Sequence, residues 1–449
     1  MNDIDVLSVL RSGMARSDAD SLVEAVLLAS RAGTLAVGTR LPTIALLAGE
    51  LGLSASTVSR AWGSLRQMGV IETKRRGGTR VARPVQATSY RAPAGEMERF
   101  RHRLAAGHPD PTLQVDLREV LRRVADGPAF GGYPEKDRIS PALHDALIDR
   151  VGYRPETIML DTEVIGALPR ILQAVSHRGA SIGVGDPEFP LYTAILRQLG
   201  MTPSPLPFTV AGYDVDTVAS ALAAGTRVLL LQTRVQNPTG LRVPTDNVAE
   251  IAGLLRRFDA TAIEVDHHGL LVPEQPVRLA SLAPERVVLL CSFAKDIHAD
   301  VRVSSITGPA AILDRVSVWR AGGEWVSGIN RAVLEVCLTD PHVNDVIAAA
   351  RAEYSRRREM FRSVFSDAGL SIESNAGLNL WVPVASEEEA TIQLAADSIS
   401  VARGSSFTLG ASGTPHIHLS LGLVGADTEY ISSRVVRAAL ERRPEETFY

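Results

Sequence analysis

Lysine is nearly missing from this 449-residue chain: of its 47 basic residues only Lys74, Lys136 and Lys295 are lysines, and the rest are arginines. Chemistry that needs a lysine amine therefore has three candidates. Cysteine is scarcer still, with Cys291 and Cys337 alone and far apart in sequence. That argues against a disulfide framework and against a Cys-rich zinc site, so no metal is expected. No stretch approaches the roughly 18–20 apolar residues of a membrane helix. The start MNDIDVLSVLRSGMARSDADS has neither the basic opening nor the apolar core of a signal peptide. A cytoplasmic protein with no membrane partner is expected. The 45% hydrophobic and 22% charged composition fits a globular chain, and at about 150 residues per domain the length implies two to three domains.

Charge is uneven along the chain. Residues 1–85 hold 11 Arg/Lys against 7 Asp/Glu, which against a net charge of −4 leaves −8 for the remainder. A basic segment on an acidic body points to a polyanion-binding module. Residues 18–32 repeat apolar side chains at helical spacing (Leu22, Val23, Val26, Leu27) and stop at Gly33. A second helix fits PTIALLAGELG, with Pro42 near its first turn and Gly52 at its end. A third fits SASTVSRAWGSLRQMG, with Ser54 as N-cap and Val58, Ala61, Trp62 and Leu65 as its buried stripe. Only Gly52-Leu53 separates them, a helix-turn-helix spacing. VIETKRRGGTRVA then alternates around Gly77-Gly78 as a β-hairpin.

Helix-turn-helix followed by a basic hairpin is a winged helix, and GTRLPTIALLAGELGLSASTVSRAWGSLRQMGVIETKRRGGTRVA resembles the GntR-type DNA-binding domain. The resemblance implies that Thr43, Ser54, Ser56, Thr57, Ser59 and Arg60 face base edges of an operator duplex. Lys74, Arg75, Arg76, Thr79 and Arg80 of the wing would meet phosphates or the minor groove. Two positions depart from the family pattern, since Ala45 and Ala55 stand where it usually carries arginines. We place the winged helix at residues 1–83 and a linker at 84–110.

From residue 157 apolar runs alternate with helical segments: TIMLDT (157–162), SIGVG (181–185), RVLLLQ (227–232), TAIEVD (261–266) and RVVLLCS (286–292). Such alternation predicts an α/β body with a mainly parallel sheet, whose ligands bind beyond the carboxyl ends of the strands. The residues just past those ends are Gly166-Ala167, Asp186 to Phe189, Asn237, Asp266, and Ser292 to Lys295. A lysine, a carboxylate, an amide, an aromatic ring and a helix N-terminus on one edge suit pyridoxal 5'-phosphate, whose aldehyde forms a Schiff base with a lysine.

These segments resemble fold-type-I aminotransferases. The resemblance implies that Phe189 of GDPEFP stacks on the cofactor ring and that Asn237 of QNPTG meets its phenolate oxygen. Lys295 of SFAKDIHADVR would take the aldehyde, while Ser292, Arg302 and the Gly166-Ala167 helix start would hold the phosphate. Asp266 of IEVDHHG would meet the pyridine nitrogen. Winged helix plus such a body resembles the MocR-type subfamily of GntR regulators, which implies a head-to-tail homodimer. The body is expected as a large domain at 111–340 and a small α+β domain at 341–449. Two departures bear on mechanism. His267 and His268 stand where the family has a tyrosine, and either could replace its hydrogen bond, with His268 taken as the cofactor contact. PHIHLSLG places His418, the effector-facing position, where the family clamps a substrate carboxylate with arginine. The expected function is a DNA-binding regulator that senses an amine effector or the cofactor itself. An aminotransferase carrying a DNA-binding head and a cofactor-free sensor are the alternatives.

Overall fold

The computed structural model describes residues 3–14, 16–31, 34–36, 38–67, 70–74, 78–81, 100–127, 139–272, 277–320, 325–410 and 413–440. The chain divides into two compact units, and each is described by itself.

The N-terminal unit holds α1 (Asp3–Gly13), α2 (Ala19–Arg31), α3 (Ile44–Leu51), α4 (Ala55–Gln67), β1 (Ile71–Lys74) and β2 (Gly78–Val81). Thr43 caps α3 by accepting from the Leu46 amide at 3.3 Å, and Gly52 ends it in the left-handed conformation. Ser54 caps α4 by accepting from the Thr57 amide at 3.0 Å. Leu22, Val26, Leu47, Val58, Ala61, Trp62 and Leu65 form one buried cluster, closed beneath the wing by Ile71 and Val81. Strands β1 and β2 pair antiparallel with Thr73 opposite Thr79. Residues 38–41 add a third edge, with Gly38 donating to Val81 and Leu41 to Thr79, both at 2.8 Å. Helix α1 was not anticipated; Val6, Leu7 and Leu10 join it to the same core.

The following elements run β3 (His102–Arg103), α5 (Leu117–Ala125), α6 (Pro141–Val151), β4 (Thr157–Asp161), α7 (Val164–Val175), β5 (Ser181–Asp186), α8 (Pro190–Gln198), β6 (Thr202–Thr209) and β7 (Gly212–Tyr213). Next come α9 (Val215–Ala223), β8 (Val228–Leu231), α10 (Thr245–Arg257), β9 (Thr261–Asp266), α11 (Leu279–Leu282), β10 (Val287–Ser292), β11 (Ser304–Gly308), α12 (Ala310–Val318), α13 (Gly328–Thr339) and α14 (Pro341–Asp367). The last are β12 (Asn379–Pro383), α15 (Glu387–Ala396), β13 (Ile399–Ser400), β14 (Ala402–Arg403), β15 (His416–Ser420) and α16 (Thr428–Leu440).

Eight strands form one sheet in the order β4-β11-β10-β9-β8-β5-β6-β7. The central run β5, β8, β9, β10 is parallel. Its apolar residues are buried on both faces, which explains their unbroken hydrophobic runs. The sheet is mixed rather than purely parallel, because no helix separates β10 from β11 and the chain returns antiparallel. A three-stranded sheet, β12-β15-β14, packs with α16 around a second core of Leu380, Val382, Ile417 and Leu419. Strand β3 lies inside the stretch read as linker, yet it pairs with β13, and Leu104 enters this second core. The linker therefore ends before residue 102. Among the described residues no helix is long and apolar enough to cross a membrane.

Candidate functional site

Lys295 lies in the loop after β10 and is half-buried. A Cβ on Gly107 would stand 3.1 Å from Lys295 Nζ and 3.9 Å from Asn379 Oδ1, so glycine there leaves the amine its place. Burial lowers the amine to a pKa of about 8, against which the Glu163 carboxylate pushes upward. A neutral fraction of about a tenth at pH 7, far above that of an ordinary lysine, suits attack on a carbonyl. The loop is anchored through Asp296, which pairs with the buried Arg150 at 2.6 Å. Arg150 also donates to the Ser292 carbonyl at 2.8 Å and lies over the Phe293 ring.

Asp266 ends β9 beside Cys291. Its Oδ1 accepts the amides of His268 and Gly269 at 3.0 and 2.9 Å, and its Oδ2 meets Arg278 at 2.9 Å and Arg234 at 3.6 Å. Burial alone would raise this carboxyl, but Arg278, Arg234 and Arg150 hold it well below the ordinary carboxylate range. Sequence reasoning missed both partner arginines.

The ring side is aromatic. Phe189 meets Tyr192 edge-on at 5.3 Å, and Tyr192 stacks on His267 and hydrogen-bonds its Nε2. Burial, then the Lys295 charge, push His267 to a pKa of about 3. His268 is fully buried, and among the described residues neither of its ring nitrogens has a hydrogen-bond partner. The same holds for Oδ1 of the buried Asn237. Orphaned polar atoms are costly and mark a place for a polar ligand. Gly377, in the left-handed region, lets the chain pass His268, since a Cβ there would lie 2.9 Å from its Cδ2. His418 is fully buried on β15, its Nε2 3.1 Å from Asn379 Oδ1. Burial and Lys295 push it to about 3 as well.

Glu188, also missed, is fully buried and accepts from the Phe189 amide at 2.7 Å and from Gln232. Burial pushes its pKa up to about 8, from 4.5. A carboxyl raised on folding binds its proton more tightly in the native state. Its stabilisation is complete below about pH 4.5 and is lost as pH rises through about 8. Thermal melts should therefore fall over that window, and Glu188→Gln should flatten the slope. An unchanged slope would show that another group carries it.

The helix start needs correction. The amides of Gly166 and Ala167 both donate to the Glu163 carbonyl, at 2.8 and 3.0 Å, and Ala167 lies in the core. Helix α7 begins at Val164 with Glu163 as its N-cap, so the two residues expected at the helix start lie inside the helix instead. The position just outside belongs to Glu163. Its Oε1 accepts from Val164 N at 2.8 Å and from Ser292 Oγ at 3.2 Å, and its Oε2 meets Arg302 at 3.1 Å.

On the N-terminal unit, Ser54, Ser56, Ser59 and Arg60 are exposed at the start of α4, and Thr57 is half-buried. The Ser54 hydroxyl bonds those of Ser56 and Thr57, at 2.8 and 2.7 Å. Thr43 is spent on its cap, Thr79 pairs with Thr73 at 3.0 Å, and Arg80 donates to the Gly38 carbonyl at 2.8 Å. Lys74 ends β1, while Arg75, Arg76 and Lys136 lie outside the described residues.

Aminotransferase class I and II matches residues 103–434. The chain belongs to that family. Residues 21–81 match the bacterial regulatory proteins of the gntR family, so a GntR helix-turn-helix domain is fused to an aminotransferase body. The vitamin B6 salvage pathway transcriptional repressor PtsJ of Salmonella typhimurium is 28% identical over 85% of this chain and 89% of its own length. TauR, a helix-turn-helix transcriptional regulator of Rhodobacter capsulatus, is 22% identical over 84% and 86%. Among solved structures, an aspartate aminotransferase from Rhodobacter sphaeroides superposes with a TM-score of 0.65 at 19% identity, over 76% of this chain and 94% of its own. LysN, an α-aminoadipate aminotransferase from Thermus thermophilus, gives 0.67 at 18%, over 76% and 92%. At these identities the two structures establish the fold of the body.

Proposed function

We propose that this protein is a cytoplasmic, dimeric transcriptional regulator. Its winged helix binds a specific duplex, and its aminotransferase-fold body takes up a pyridoxal-type aldehyde at Lys295. The observation that carries the reading is a partly neutral, half-buried lysine facing orphaned polar atoms, in a chain that starts with a GntR-type head. The PtsJ relative, named for vitamin B6 salvage, favours the same ligand class.

The residues fit such a ligand at its ring end. Lys295 supplies the amine, Phe189 and His267 the flat walls, His268 and Asn237 unspent polar atoms, and Asp266 a fixed negative charge. When bound, the aldehyde supplies an electrophilic carbon conjugated to a ring that draws electrons from an attached amine. The protein's part is to hold Lys295 against Gly107, keep His267 and His418 neutral, and keep Asp266 ionised through Arg278 and Arg234. At the far end, where the family reading puts phosphate, Glu163 holds Ser292 and Arg302. Occupancy biases the arrangement of the two heads by its differential affinity for their states.

Random-site selection with the full-length dimer, with and without pyridoxal, tests this reading. A defined operator is expected, with affinity falling steeply as salt rises because phosphate contacts release counterions. Replacing Lys74, Arg75 and Arg76 together by alanine should weaken binding to every duplex and flatten that slope. Thr57→Ala should instead change which sequences are preferred. Selection of no preferred sequence would remove the regulator reading.

A further inference from the structure

We infer that Glu163 is an internal stand-in for the ligand's phosphate, so that this chain discriminates against phosphorylated aldehydes and accepts the unphosphorylated form. The inference rests on the proposed aldehyde site at Lys295.

An anion cup in this fold needs three donors: a helix N-terminus, a hydroxyl and a guanidinium. All three are present, and all three are engaged by one carboxylate of the chain itself. The Val164 amide, Ser292 Oγ and Arg302 Nη1 converge on Glu163 at 2.8, 3.2 and 3.1 Å. The amides of Gly166 and Ala167, further into α7, donate to the Glu163 carbonyl and are not free for an incoming anion. The Glu163 side chain is 12% exposed, so the carboxylate is turned into the site, whereas its partner Arg302 reaches in from a side chain 58% exposed. The positive end of the helix is thereby complemented from within.

A phosphate entering here meets a carboxylate of like sign and must displace it from the Val164 amide, Ser292 and Arg302. A hydroxymethyl group in the same place carries no charge and can donate to the Glu163 carboxylate without displacing it from Val164, Ser292 or Arg302. The same carboxylate raises the pKa of the Lys295 amine. Glu163 thus acts on both ends of the ligand. A bound coenzyme would ordinarily be held by its phosphate at all times, whereas a cup closed by Glu163 lets ligand exchange report its concentration.

The test compares two probes, pyridoxal and pyridoxal 5'-phosphate, on the full-length protein. The probe carbonyl condenses with Lys295 Nζ, water leaves, and borohydride reduces the C=N bond to a stable amine counted on Lys295 by peptide mass. Dissociation constants come from the visible absorbance of the unreduced adduct. Wild type is expected to bind pyridoxal at least as tightly as its phosphate. Glu163→Gln keeps the cap acceptor and removes the charge. It should tighten the phosphorylated probe on the order of ten- to a hundredfold, since like charges a few ångströms apart repel strongly in such a site. Pyridoxal presents no charge to that end and should change far less, through the effect of Glu163 on the Lys295 amine alone. Glu163→Ser should give the same order of preference, and inorganic phosphate should compete in both variants but not in wild type. If wild type prefers the phosphorylated probe and Glu163→Gln leaves the ratio unchanged, the stand-in role is wrong while the Lys295 site survives. If neither probe labels Lys295 in wild type or variant, with Lys295→Ala as blank and circular dichroism unchanged, the aldehyde site itself is wrong.

Discussion

Replacing Arg150 by leucine is expected to destabilise the body by about 3–5 kcal/mol, the range for removing one partner of a buried ion pair. Arg150 is 4% exposed and Asp296 is 3% exposed. Their pairing at 2.6 Å, together with the Leu270 amide on Asp296 Oδ2 at 3.1 Å, balances two charges that water cannot reach, while Asp296 Oδ1 and Arg150 Nε have no hydrogen-bond partner among the described residues. Leucine would fill much of the volume but leave Asp296 buried without its cation. The same guanidinium holds the Ser292 carbonyl and covers Phe293, so the residues on either side of Lys295 lose their anchor. Denaturant titration of Arg150→Leu should show a lowered midpoint, and carbonyl labelling of Lys295 should drop at temperatures where the fold persists. The double variant Arg150→Leu, Asp296→Leu should recover most of the stability, because two apolar residues replace two charges. It should not recover labelling, since nothing then fixes the loop. A single variant within about 1 kcal/mol of wild type would mean that Asp296 finds another partner, beyond the range expected for a buried pair.

The body was legible because its central strands are buried on both faces and must be apolar throughout. Each of the five runs read from hydrophobicity became a strand at nearly the expected residues. The winged helix was legible for a different reason: Thr43, Gly52 and Ser54 are caps whose chemistry is local. What escaped depends on distant partners. Strand β11, SSITG, has serines and a threonine at fully buried positions, and only its pairing to both β10 and β4 makes it a strand. Strand β3 has two residues and exists because Ile399–Ser400 lies alongside.

The site shows the same division. Lys295 stood out because lysine is so scarce, and Asp266 because it ends an apolar strand. The start of α7 lies two residues before the expected Gly166. Glutamate as N-cap is a weak local signal, and it is fixed here by Ser292 and Arg302, which lie more than a hundred residues away. Arg234 and Arg278 were invisible for a similar reason: no spacing rule links them to Asp266, and only the fold brings three buried charges together.

Loaded with aldehyde and mixed with L-amino acids, the wild-type protein should show no rapid conversion of the aldehyde to its amine form. The reason lies at His418. A carboxylate clamp must supply a fixed positive charge, and His418 is fully buried, bonded to Asn379, and pushed to a pKa of about 3 by burial and by Lys295. Because its folded value lies below the ordinary 6.5, it stays neutral as pH falls through the usual histidine range. Amine binding should therefore carry no histidine-like step at His418 between about pH 5 and 8. Loss of a charge-assisted pair removes roughly 1.5–3 kcal/mol of carboxylate binding. Loss of orientation is more serious, since misplacement by about 1 Å can cost on the order of a hundredfold in rate. Simple primary amines should consequently react with the loaded site about as well as amino acids of similar size. A clamp-bearing site would favour the amino acids strongly. His418→Arg should shift preference toward carboxylate-bearing amines, with Asn379 Oδ1, which already faces this position, accepting from the new guanidinium. Stopped-flow absorbance over a panel of amines and amino acids reads both effects. Fast conversion of one L-amino acid by the unmodified protein would show that another group holds the carboxylate, and that this body is a working transaminase.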